Sequence, residues 1–96
     1  MFTAEDARKL RQSNTLLQES IKESVEYTVE EIKRAIERGR DYAPIRTVEV
    51  SDENKKIRAT QEQILIEMIR YGYKEYPYPV YSDGILQKNI YITWVY

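Results

Sequence analysis

Tyrosine, carboxylate and lysine side chains are the groups left for acid-base work in this chain, because it contains no histidine and no cysteine. Histidine is the usual proton carrier near neutral pH, and cysteine supplies thiolate nucleophiles and metal ligands. The residue types therefore weigh against an enzyme, and no catalytic residue is expected. Adjacent carboxylates occur at Glu30-Glu31 and Asp52-Glu53, but each pair falls where a helix face or a helix start accommodates charge anyway. Asp52-Glu53-Asn54 lacks the ligand spacing and the turn glycine of a calcium loop, so no metal site is expected. Gly39, Gly72 and Gly84 stand isolated, which excludes a glycine-rich phosphate loop and the nucleotide-binding fingerprints built on one. No cofactor is expected.

What the chain does concentrate is aromatic surface. Seven of its nine tyrosines and its one tryptophan fall between Tyr71 and Tyr96. Strand alternation through Tyr71–Tyr81 puts tyrosines on both faces, more rings than a small sheet can enclose. Tyrosine suits interfaces because it offers a large contact area, few rotatable bonds and a polar tip that can stay wet. Tyr73, Tyr76, Tyr78, Tyr81 and Tyr91 are the candidate partner-binding residues. A second group is basic: Lys33, Arg34, Arg38, Arg40 and Arg46 gather near the end of a helix and the start of a strand. Its plain reading is complementation of a helix C-terminus. The alternative is a phosphate or nucleic-acid contact through Arg38, Arg40 and Arg46, with Tyr42 to stack on a base. A net charge of −1 makes tight nucleic-acid binding unlikely on electrostatic grounds, since affinity there comes mostly from phosphate neutralisation.

The elements that must position these residues follow from periodicity. Thr3 precedes Asp6 by three residues, a cap that starts a helix near Ala4. Apolar residues then recur at Ala7, Leu10, Leu17, Ile21, Val25, Val29, Ile32 and Ile36, up to Gly39. Unbroken to Arg38, this helix would run about 50 Å at 1.5 Å per residue, longer than a domain of this size is wide. The weak helix formers Ser13-Asn14-Thr15 are therefore expected to break it in two. The alternative is an overhanging helix that pairs with a second copy through Asn14. Asp41–Pro44 reads as a linker and Ile45–Val50 as a strand. Ser51-Asp52-Glu53 reads as the start of another helix, with Ile57, Gln61, Ile64, Met68 and Tyr71 on its inner face and Gly72 at its end. Tyr73–Tyr81 resumes extended structure, Ser82-Asp83-Gly84 turns, and Asn89–Tyr96 forms a strand apolar on both faces. Such a strand belongs at the sheet centre.

The expected fold is α+β: N-terminal helices followed by β-α-β-β, with a three-stranded sheet covered on one face by helices. Ninety-six residues fit one domain, 1–96. The opening residues are acidic where a signal peptide would be basic, and no apolar run reaches membrane-spanning length. The expectation is a soluble, cytoplasmic protein with no membrane partner.

Thr3-Ala4-Glu5-Asp6-Ala7-Arg8-Lys9-Leu10, Gly72-Tyr73-Lys74 and Ile90-Tyr91-Ile92-Thr93-Trp94 together carry a resemblance. The pattern resembles small uncharacterised proteins of tailed bacteriophages and prophages, which have a similar opening, a helix closing on Gly-Tyr-Lys and a final strand ending in tryptophan. Pro77 and Pro79 depart from it. The resemblance implies an accessory viral protein in a bacterial host. The functional expectation is a non-enzymatic protein that sequesters or inhibits a host protein through its aromatic C-terminal hairpin. Nucleic-acid or nucleotide binding, and a structural role in a virion assembled through the same aromatic surface, are the alternatives; self-association into a homo-oligomer through the long N-terminal helix is a further expectation.

Overall fold

The computed structural model describes residues 1–95, without the side chains of residues 9–13. Leu10, the side chain of Ser13 and the terminal Tyr96, all invoked above, lie outside the described residues. Helix α1 spans Ala4–Glu37 and starts as its cap anticipates: the Thr3 hydroxyl accepts from the Asp6 N–H, and the Asp6 carboxylate accepts from the Thr3 N–H. The expected break at residues 13–15 does not occur, and the helix is continuous for 34 residues. Neither glycine nor proline interrupts it, and three weak formers together cost only about 1–2 kcal/mol in a helix interior. The molecule is accordingly elongated, 53 × 28 × 23 Å. Asn14 and Thr15 are exposed, and Leu16 is buried.

The buried line of α1 is Leu16, Ser20, Ser24, Thr28, Ile32 and Ala35. It lies one residue over from the apolar stripe of the sequence: Leu17, Ile21, Val25 and Val29 flank it, and Ile36 is exposed. Three hydroxyls thus occupy the centre of the packed face, and their partner is the chain from Arg46 to Val48. The Ser20 hydroxyl donates to the Val48 carbonyl at 2.6 Å and accepts from the Ala59 N–H at 2.8 Å. The Ser24 hydroxyl accepts from the Val48 N–H at 2.8 Å. The Thr28 hydroxyl accepts from the Arg46 N–H at 3.1 Å and donates to its carbonyl at 3.3 Å. A helix spacing of four residues thereby meets an extended segment's spacing of two.

The expected strand Ile45–Val50 is corrected by the same contacts. Strand β1 is Tyr42–Pro44, strand β2 is Glu49–Asp52, and between them the backbone groups of Arg46 and Val48 pair with helix hydroxyls, while the Ile45 N–H bonds to the Ile90 carbonyl. The expected helix start at Ser51 is also wrong. Strand β3, Lys55–Arg58, folds back on β2 and opposes Glu49 to Arg58, Asp52 to Lys55 and Val50 to Ile57. Opposite charges and an apolar pair facing one another favour that hairpin. Helix α2 begins later, at Gln61–Arg70, where Thr60 and Gln63 form a second capping box.

Both helices end in the same way. Gly39 (φ 73°) and Gly72 (φ 96°) take left-handed conformations. After α1 the Gly39 N–H bonds to the Ile36 carbonyl and the Arg40 N–H to the Ala35 carbonyl; after α2 the Gly72 and Tyr73 N–H groups bond to Ile69 and Met68. These are the paired bonds of a Schellman cap. Tyr71, expected on the inner face, is the C-cap residue and is exposed.

Strand β4 is Lys74–Glu75, β5 is Tyr81–Ser82, β6 is Ile85–Leu86 and β7 is Tyr91–Thr93. The three-stranded sheet has the order β1-β7-β4, antiparallel at both contacts, so the last strand is central as its two apolar faces required. Pro44 sits on an edge strand, where its missing N–H is tolerated. The core is Ile32, Ala35, Ala43, Ile45, Ala59, Ile64, Met68 and Ile92. The Gln61 side chain accepts from the Ile90 N–H, which ties the start of α2 to the approach of β7. The fold is α+β, and no helix among the described residues is long and apolar enough to cross a membrane.

Thr28→Val should destabilise the protein by about 1–3 kcal/mol, because both polar groups of Arg46 lose their partner inside the fold. Lys22→Ala, on the exposed face of α1, should stay within about 0.5 kcal/mol of the parent in the same urea titration. Hydrogen bonds from the Thr3 backbone, then from its hydroxyl, hold the Asp6 carboxyl below its ordinary range. That contribution is present above the ordinary carboxylate pKa and lost as pH falls through the lowered one. Amide exchange at residues 4–8 should therefore quicken at acid pH relative to residues 20–30, and Asp6→Asn should abolish the pH dependence.

Candidate functional site

The α1 residues Glu31, Arg34 and Arg38 recur at three- and four-residue spacing, so they share one face of the last turns. That face ends beside the Schellman cap, from which Arg40 and then Tyr42 of β1 continue. Together with Arg46 they form one side of a cleft of about 240 Å³. Across it stands the β5–β6 hairpin, whose Val80, Tyr81 and Gln87 also line the space, as does Tyr91 of β7. The two sets of candidate residues, far apart in sequence and read as alternatives, therefore meet at a single place.

Four guanidinium groups (Arg34, Arg38, Arg40, Arg46) and one carboxylate (Glu31) line the cleft, an excess of three positive charges on a chain whose net charge is −1. Glu31 is only 14% exposed and serves two of the arginines, with Arg34 at 3.0 Å and Arg46 at 3.9 Å. Arg38 and Arg40 form no ion pair among the described residues.

The tyrosines divide by role. Tyr42 stacks on Tyr76 with ring centres 4.6 Å apart, meets Tyr91 edge-on at 5.8 Å, and Tyr76 in turn meets Tyr78 edge-on at 5.5 Å. The register explains the first contacts: β1 and β7 oppose Tyr42 to Thr93 and Pro44 to Tyr91, which leaves Tyr42 and Tyr91 as diagonal neighbours within reach of aromatic rings. The Tyr76 N–H donates to the Tyr91 carbonyl and carries its ring to the same cluster. Of the five expected partner-binding residues, Tyr81 and Tyr91 line the cleft, Tyr76 braces Tyr42 from within the cluster, Tyr78 is exposed at the cluster's end, and Tyr73 packs against the core. Arg38, Arg40, Tyr42 and Arg46 all line the cleft.

Among the described residues the hairpin pairs with no other strand. Asp83 (φ 51°) and Gly84 (φ 78°) make its two-residue turn, as the sequence indicated, and the Gln87 N–H bonded to the Val80 carbonyl extends it by one step. Tyr81, Ile85 and Leu86 are 62%, 67% and 51% exposed. Sequence reasoning missed Ile85, Leu86 and Glu31. An isoleucine-leucine pair immediately after an Asp-Gly turn was the available sign for the first two; Glu31 offered none, because its neighbours Glu30 and Lys33 are ordinary exposed helix residues.

Comparison of the chain with protein-family models, with curated proteins and with solved structures gives no match. Function is accordingly argued from the cleft and the hairpin.

If Arg38 and Arg40 are not structural, Arg38→Ala and Arg40→Ala should each leave the urea midpoint of unfolding within about 0.5 kcal/mol of the parent. Glu31→Ala, which strands Arg34 and Arg46 together, should lower it by up to about 1 kcal/mol. A loss above about 1 kcal/mol in either arginine variant would assign these side chains to the fold.

Proposed function

We propose that this protein is a non-enzymatic binding module that docks another protein through its C-terminal hairpin and the adjoining cleft. The observation that carries the reading is the hairpin's own economy: Tyr81, Ile85 and Leu86 are each more than half exposed on a two-stranded element that joins no larger sheet. A hairpin of this length is marginal in water unless its apolar side chains are covered. An exposed apolar group rimmed by charge is the usual mark of a protein-binding surface. Tyr81 lies where that surface meets the arginine-lined cleft, so one partner can engage both.

The absence of histidine and cysteine supports binding over chemistry. The terminal motifs extend the proposal to an accessory viral protein that blocks a host protein in the bacterial cytoplasm. Nucleic acid is the weaker candidate, since the positive excess is confined to one cleft on a chain of pI about 5.5.

The proposal is tested by comparing the bacterial proteins retained by the parent with those retained by the triple variant Tyr81→Ser, Ile85→Ser, Leu86→Ser, identified by mass spectrometry. Circular dichroism should show the variant folded, because none of the three side chains belongs to the core. A partner held by the parent and lost by the variant is the expected result; identical retained sets would overturn it.

A further inference from the structure

We infer that Arg38 and Arg40 form a receptor for a carboxylate side chain of an acidic peptide segment, so that the partner carries an aspartate or glutamate beside the apolar residues that cover the hairpin. This rests on the protein-binding reading above and specifies its ligand.

The first observation is that the fold has no evident use for these two side chains. An arginine at a helix C-terminus ordinarily donates to the last carbonyls or complements the dipole. Here backbone N–H groups already reach three of the last four carbonyls, with the Arg38 N–H on Arg34 and Ala35, the Gly39 N–H on Ile36 and the Arg40 N–H on Ala35, and neither arginine side chain forms an ion pair among the described residues. The chain has 16 acidic residues, yet only Glu31 lines the cleft.

The second observation is that the cleft contains its own example of the chemistry. Glu31 holds one carboxylate against two guanidiniums, Arg34 and Arg46. Arg38 and Arg40 offer a second pair of guanidiniums without a carboxylate, and the planar fork of arginine matches a carboxylate through two parallel hydrogen bonds.

Size and surroundings identify what carries the carboxylate. A volume of about 240 Å³ is below the roughly 300–1,000 Å³ of pockets that enclose a whole small ligand. It admits a side chain presented by something larger. Tyr81 lines the same cleft, and exposed Leu86, directly opposite it in the hairpin, shares its face, so apolar contacts lie beside the charged ones. A peptide that alternates acidic and apolar residues complements both.

The test is a nuclear magnetic resonance titration of the full chain with an acetylated Glu-Leu-Glu-Leu amide peptide. Controls are the Gln-Leu-Gln-Leu peptide, a phosphoserine peptide of the same length, and oligothymidylate. The Glu peptide should move the side-chain Nε–H signals of Arg38 and Arg40 and the ring signals of Tyr81 saturably, with weaker binding at higher salt. Arg38→Ala with Arg40→Ala should weaken that binding by about tenfold or more, and Glu31→Gln should strengthen it. Equal binding of the Gln peptide, tighter binding of the phosphoserine peptide, larger shifts with oligothymidylate, or no saturable shift with the Glu peptide would each overturn the assignment. The two proposals fail separately. A lysate partner lost by the hairpin variant but kept by the arginine variant sinks only the carboxylate receptor, whereas peptide binding at Arg38 and Arg40 with an unchanged retained set sinks only the hairpin reading.

Discussion

Everything in this fold is aligned by three hydroxyl groups. Residues 45–48 leave the sheet after the Ile45 N–H bonds to the Ile90 carbonyl, and the part-buried backbone groups of Arg46 and Val48 then need partners other than a strand. Ser20, Ser24 and Thr28 supply the missing partners from one line of α1. The arrangement lets a helix stand in for a strand, and it fixes both the distance and the register between α1 and the chain that follows. Ser20 also accepts from Ala59, so the entry to α2 is set by the same line. Among the described residues no buried side-chain nitrogen or oxygen lacks a hydrogen-bond partner, which is what allows so polar a helix face to sit against the core.

The cleft inherits its geometry from that alignment. Because residues 45–48 are held against the middle of α1, Arg46 emerges close enough to Glu31 to share it with Arg34. Because the Schellman cap turns the chain sharply after α1, Arg40 and Tyr42 come back beside Arg38. The central position of β7 then brings Tyr91 against Tyr42, and the connection between β4 and β7 carries the hairpin across the opening. Charge from the helix end and aromatic surface from the C-terminal strands are thus brought together by the hydroxyl line, the helix cap and the sheet order.

Local signals in the sequence were read correctly where the physics is local. Thr3 with Asp6, Gly39, Gly72 and the Ser82-Asp83-Gly84 turn each declare themselves within a few residues, and the two apolar faces of the expected strand Asn89–Tyr96, formed over Tyr91–Thr93, identify a central strand without knowledge of its neighbours. The errors arose where a distant partner decides. Ser51-Asp52-Glu53 has the composition of a helix start, but Glu49, Val50 and Asp52 find better partners across a turn in Arg58, Ile57 and Lys55. Ser20, Ser24 and Thr28 look like a solvent-facing stripe until residues 45–48 are laid over them. Ser13-Asn14-Thr15 was given the weight of a break on the assumption that a domain this small could not accommodate the full helix. For the site, the residue types were legible and their meeting was not: Tyr81 and Arg40 are about forty residues apart, and only the sheet order joins them.

The continuous helix α1 has a practical corollary. Its capped start and the cleft lie at opposite ends of a rod about 50 Å long at 1.5 Å per residue, and residues 1–8 are exposed. That length holds the amino terminus far from the cleft and its arginines. A fluorophore, surface linker or fusion domain attached there would leave the cleft and hairpin unobstructed. A carboxyl-terminal attachment would instead follow directly from the strand that carries Tyr91.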